Sequence, residues 1–156
     1  MKPPSARQPS GPVPARLELC LPRGGHRLLG ELAVAAWPAE ACGLLVGMRH
    51  DARVEVSAVL PAVNRRAAEA PDRYEIDPED VLAADRAARE AGLMLVGAWH
   101  SHPGAPAAPS ARDRDEAWPD WCYLIVSIDA ERARELRAWR LIDGRFVEDA
   151  VATWVE

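Results

Sequence analysis

Apolar positions along this chain fall into short runs bounded by Gly, Pro and Asp, with two stretches of helical period between them. Residues 16–21 alternate charged or polar with apolar side chains and read as a first strand. Gly24-Gly25 then opens a helix through Leu28, Leu29, Leu32 and Ala36. It ends at Trp37-Pro38, because a residue before proline is pushed out of the helical region. Residues 42–47 form an apolar run edged by glycines. In Val54 to Leu60, Val54, Val56 and Ala58 alternate against Glu55 and Ser57, so two more strands are predicted. Asn64 to Ile76 is a polar arm with no clear period. Asp77-Pro78-Glu79-Asp80 has the residues of a helix start: an N-cap Asp, Pro in the first helical position and acids in the first turn. Gly92 supplies the stop.

Leu93 to His100 is a further apolar run with the pattern of a buried strand, followed by a loop of Pro and Ala over residues 103–109. A short helix follows, terminated by Pro119. Tyr123 to Ile128 reads as a core strand. Leu136–Ile142 and Arg145–Val151 flank Asp143-Gly144, the two-residue hairpin signal. The order β-α-β-β-α-β-(α)-β-β-β is that of a single mixed-sheet α/β domain flanked by helices, with no internal repeat. Residues 1–15 stand apart. Pro3, Pro4, Pro9, Pro12 and Pro14 and the near absence of large apolar side chains predict a disordered or extended tail, leaving 16–156 as the domain.

Composition narrows the partners rather than the fold. With 49% hydrophobic residues the chain is expected to be globular, and at 156 residues it has the length of one domain. A net charge of −5, with arginines interleaved among acids, argues against nucleic acid as a partner. No apolar run is long enough for a membrane span, and the N-terminus lacks the apolar centre of a signal peptide. Cys20, Cys42 and Cys122 are odd in number and widely spaced, which fits free thiols in a reducing cytoplasm rather than a disulfide framework.

The candidate chemistry sits at the end of the fourth predicted strand. His100 and His102 are two residues apart, so on a strand they project from one face while Ser101 projects from the other. Pro103 is expected to end the strand there. Asp113 supplies a third group with metal-ligand chemistry, and three ligands would leave one position open, as in catalytic zinc sites. Ser110-x-x-Asp113 also matches a helix capping box, and the two roles are compatible. Glu40, just ahead of an apolar strand, has the chemistry of a general base that is not itself a ligand. His26 and His50 stand alone and read as non-functional. Trp99, beside a ligand, is a candidate wall of the site.

His100-Ser101-His102-Pro103 with Ser110-Ala111-Arg112-Asp113 resembles the motif of the JAMM (MPN-plus) metalloproteases, His-x-His followed by Ser-x-x-Asp. The run Pro38 to Gly47 looks like that family's segment carrying the catalytic glutamate. Asn64 and Tyr74-Glu75-Ile76-Asp77-Pro78-Glu79 resemble the stretch between the two in small prokaryotic members. The resemblance spans residues 16 to 130 and implies a JAMM/MPN, cytidine-deaminase-like layout. It implies one catalytic zinc ion on His100, His102 and Asp113 with water as the fourth ligand, Glu40 as the base, and Ser110 as hydrogen-bond donor to the substrate carbonyl or oxyanion. Ser101 is assigned a structural role.

The implied activity is that of a peptidase or isopeptidase. Its substrates would be ubiquitin-fold sulfur carriers of the ThiS/MoaD kind, cut after a C-terminal Gly-Gly. The alternatives are a catalytically idle scaffold of the same fold and a zinc amidohydrolase acting on a small substrate. No motif residue is missing, which disfavours the idle scaffold.

Overall fold

The structure, a computed structural model, describes residues 12–153. Residues 1–11 of the expected tail lie outside the described residues. Within the rest of that tail, the Pro14 carbonyl accepts a hydrogen bond from Arg140 Nη2 at 3.1 Å.

Among the described residues, seven strands and three helices follow in the predicted order. They are β1 (Glu18–Leu21), α1 (Gly25–Ala36), β2 (Cys42–His50), β3 (Arg53–Ala62), α2 (Pro78–Glu90), β4 (Met94–Pro103), α3 (Ala111–Glu116), β5 (Cys122–Ile128), β6 (Ala133–Ile142) and β7 (Arg145–Thr153). The strands form one mixed sheet in the order β1-β3-β2-β4-β5-β6-β7, closed because the short β1 pairs in parallel with both β3 and β7. β4 and β5 are also parallel, and the remaining neighbours are antiparallel.

Local chemistry explains most of these boundaries. The Asp77 side chain accepts from the Glu79 amide at 2.9 Å, and Pro78 opens α2. At the other end Gly92 takes φ +73° and the Leu93 amide returns to Ala88 O at 2.8 Å, a glycine-dependent helix stop. Asp143 and Gly144 both adopt positive φ, 50° and 76°, as the tight β6–β7 hairpin requires.

Alternating side chains give the sheet two packed faces. Leu19, Leu45, Val54, Val96, Trp99 and Leu124 pack with Leu29 and Ala33 of α1. Leu44, Val46, Ala98, Trp121 and Tyr123 pack with Val81 and Ala88 of α2. Trp99 is fully buried in the α1-side core, where its Nε1 donates to Leu60 O at 3.0 Å. It therefore belongs to the face opposite His100 and does not wall the site. Gly43 makes room for it: a Cβ there would lie 2.3 Å from the indole nitrogen.

One boundary differs in a way that matters. β4 continues past His100 to Pro103, which pairs with Ile128 of β5. On its other side β4 is paired with β2 only as far as His100 with Cys42. Proline is tolerated where one side of a strand has lost its neighbour.

Candidate metal and catalytic centre

Ala98, His100 and His102 share one face of β4, the face that carries the α2-side core. Asp113 lies in the first turn of α3, whose start is fixed by a reciprocal capping box. The Asp113 amide donates to Ser110 Oγ at 3.1 Å, and the Ser110 amide donates to Asp113 Oδ2 at 2.8 Å. The cap aims the carboxylate back at the strand. His100 Nε2 lies 3.3 Å from Asp113 Oδ1, His102 Nε2 lies 3.2 Å from Oδ2, and the two Nε2 atoms are 3.0 Å apart.

Those spacings test the fit of a cation. A tetrahedral ion with ligand bonds of ~2.0–2.1 Å has ligand-to-ligand edges of about 3.3 Å. The two imidazole nitrogens, 3.0 Å apart, and the two oxygens of the carboxylate, each 3.2–3.3 Å from one of them, are close to such edges and place three donors around one point. The His102 tautomer agrees. Its Nδ1 lies 2.8 Å from the Pro106 carbonyl, which can only accept, so Nδ1 carries the proton and Nε2 presents its lone pair. His100 and His102 are both buried, and the Asp113 side chain is 11% exposed.

The electrostatics follow from that geometry. Burial pushes the Asp113 carboxyl up, but the two imidazoles lying against it and the hydrogen bond from the Ser110 amide hold it far below the usual carboxylate range. Burial draws His100 below the ordinary imidazole value. Burial acts on His102 in the same direction, but Asp113, the Pro106 carbonyl and Glu40 outweigh it and leave His102 raised.

Glu40 sits in the short connection between α1 and β2 and is 6% exposed. Desolvation pushes its carboxyl up to about 8, against the opposing pull of His102 and with help from Asp113, Asp72 and Glu116. Its main chain is held on both sides: the Glu40 amide donates to Pro71 O at 3.1 Å, and its carbonyl accepts from Asn64 Nδ2 at 2.9 Å. The next residue is clasped by Ser101. The Ala41 amide donates to Ser101 Oγ at 2.8 Å, and the Ser101 amide donates to Ala41 O at 3.0 Å. Ser101 thus ties the glutamate segment to the histidine strand from the face opposite the ligands.

All five residues singled out in the sequence occupy this end of the sheet. Three converge on one point, Glu40 is electrostatically coupled to His102 and Asp113, and Ser110 caps the helix that carries Asp113. Pattern reading missed two supports. The Tyr74 ring stacks on His100 with centroids 4.5 Å apart. The 103–109 loop is fastened carbonyl by carbonyl: Ala105 by Ser127 Oγ at 2.7 Å, Pro106 by His102, and Ala107 by Trp139 Nε1 at 2.9 Å. Neither support has a periodic signature. A cleft of about 280 Å³ adjoins the cluster at Tyr74, and Ile76, Val81, Trp118, Trp121 and Tyr123 also line it.

The sequence profile for prokaryotic homologs of the JAB domain matches residues 22–142. The chain is 47% identical over 93 residues to the desampylase of Haloferax volcanii, a match covering 59% of this chain and 65% of that protein. It is 36% identical over 115 residues to the CysO-cysteine peptidase of Mycobacterium tuberculosis, covering 73% of this chain and 76% of that one. A Desulfitobacterium hafniense protein solved in solution superposes with a TM-score of 0.77 at 30% identity, covering 88% of this chain and 94% of its own. Profile, identity and fold agree with the site geometry: the chain belongs to the prokaryotic JAB family.

Proposed function

We propose that the protein is a zinc-dependent peptidase or isopeptidase. It hydrolyses the bond after the C-terminal Gly-Gly of a ubiquitin-fold sulfur carrier of the ThiS/MoaD kind, or of a conjugate of that carrier. The observation carrying this reading is the convergence of His100, His102 and Asp113 on one point, with a buried, non-coordinating Glu40 coupled to them. The relatives named desampylase and CysO-cysteine peptidase supply the substrate class.

His100 and His102 through Nε2, and Asp113 through its carboxylate, would hold the ion. A zinc ion so held lowers the pKa of its water to about 7 and polarises the scissile carbonyl. Glu40 takes a proton from water at its carboxylate and delivers it to the leaving amine. Its burial makes it a stronger base than an exposed glutamate, and a nearby cation would draw its pKa back down. Ser110 Oγ spends one lone pair on the Asp113 amide, so its O–H remains free to donate to a carbonyl or oxyanion.

An extended Gly-Gly tail suits this end of the sheet. Beyond Ser101, whose amide already bonds Ala41 O, β4 has a strand partner on the β5 side alone, which leaves a short edge against which an extended tail can lie. The three cysteines are buried and unpaired, in keeping with a reducing cytoplasm. No described helix is long and apolar enough to cross a membrane.

The test is intact-mass spectrometry of a ThiS/MoaD-like carrier extended past its Gly-Gly, incubated with the protein with and without a zinc chelator. Chelator-sensitive trimming to Gly-Gly is expected. An untouched carrier and an untouched isopeptide conjugate, with zinc bound, would remove this substrate class.

A further inference from the structure

Residues 64–76 form neither helix nor strand, yet one side chain organises them. Asn64 Nδ2 donates to Glu40 O at 2.9 Å and to Arg73 O at 2.8 Å. Asn64 Oδ1 accepts from the Arg66 amide at 2.9 Å and the Glu75 amide at 3.1 Å. Both amide protons and both acceptor directions are in use, so the side chain is saturated. Three of these bonds stay within the arm and would suffice to shape it. The fourth leaves it and ends on the main chain of Glu40.

The arm holds Glu40 from its other side as well, through the bond from the Glu40 amide to Pro71 O. A carboxylate in a short connection has no strand ladder to fix its aim, and a catalytic group tolerates displacement of only ~0.5 Å. Here the arm supplies what a ladder would. We infer that Asn64 is a positioning residue for the reaction: it clamps the Glu40 backbone to the 64–76 arm and, by closing that arm on Arg73 and Glu75, seats Tyr74 against His100. The inference rests on the reading of Glu40 as the base.

Asn64→Asp discriminates this role from that of a loop staple. The carboxylate keeps an acceptor for the Arg66 and Glu75 amides but sets a negative charge against the Glu40 and Arg73 carbonyls. Zinc content is expected to stay at the wild-type level, because the three candidate ligands lie on β4 and α3. Turnover is expected to fall about 10–100-fold with KM changed less than about threefold, as loss of aim rather than of binding requires. Amide exchange at Glu40 should accelerate by about tenfold while that of Ser101 does not. In a Glu40→Gln background the same substitution should lower residual turnover no further.

Arg65→Ala is the control, since it removes only exposed ion pairs to Glu75 and Asp77 and should leave turnover unchanged. Asn64→Ala, read by the same exchange and zinc measurements, serves if the aspartate variant folds poorly. Wild-type turnover or unchanged Glu40 exchange in Asn64→Asp, beside an inactive Glu40→Gln, overturns the positioning role. An active Glu40→Gln overturns the base assignment itself, whatever Asn64 does.

Discussion

Glu40 is buried and Asp113 largely so at the same end of the sheet, yet their surroundings drive their proton affinities apart. Asp113 lies against two imidazoles, accepts from an amide and is held ionised. Glu40 has lost water without gaining a side-chain donor among the described residues, so its carboxyl is pushed up to about 8. A group whose folded value lies above its unfolded one stabilises the fold below the unfolded pKa. That stabilisation is lost as pH rises through the folded value. For Glu40 the window runs from about 4.5 to about 8. Chelated Glu40→Gln should therefore melt above chelated wild type at pH 8, by an amount on the order of 1–3 kcal/mol, and close to it at pH 4.5. Zinc-loaded Glu40→Gln should keep its metal and lose turnover. Asp113→Ala should instead lose zinc, and unchanged stoichiometry by elemental analysis would reduce Asp113 to a helix cap.

At the scale of elements, the capping box on α3 joins a structural role to the chemical one proposed for Ser110. Loss of an N-cap costs about 1 kcal/mol, and loss of an oxyanion donor lowers turnover about 10²–10³-fold. A fold stable by ~5–15 kcal/mol remains fully populated after losing one cap, so the cap alone cannot account for such a fall. Ser110→Ala should show both effects, in the melting temperature and in kcat. A stability change with kcat intact would confine Ser110 to capping. These elements were legible because each carries a local signal: Asp77-Pro78 and Gly92 bracket α2, and the two histidines mark the site face of β4. The extent of β4 was not legible, because Pro103 is permitted only by the absence of a β2 partner. Nor was the 64–76 arm, whose order comes from a saturated asparagine, turn hydrogen bonds and the Arg66–Glu75 pair rather than from any period.

For the whole molecule the decisive feature is closure through β1, the shortest strand, and local patterning has no means of announcing it. Four residues give the seam only short ladders, and a buried ion pair reinforces it. Arg140 of β6 and Asp149 of β7 each have side chains 1% exposed and bond to each other through two guanidinium nitrogens. Asp149 Oδ1 also accepts from the Leu17 amide at 3.0 Å, and Arg140 Nη2 donates to Pro14 O. The chain leading into β1 is thus fastened to charges on β6 and β7. Removing one partner strands the other in the core, so Asp149→Ala should destabilise by about 3–5 kcal/mol. In a domain of this size that lowers the melting temperature by on the order of 10 °C. Replacing both by leucine should recover much of the loss, since no buried charge is left over. In the closed order β1 is separated from β4 by at least two strands. Asp149→Ala assayed well below its melting point should therefore keep its zinc and its turnover per folded molecule. An unchanged melting temperature would show that the β1 ladders with β3 and β7 hold the seam without the ion pair. Lost zinc at full folding would show instead that strain at the seam reaches the ligands.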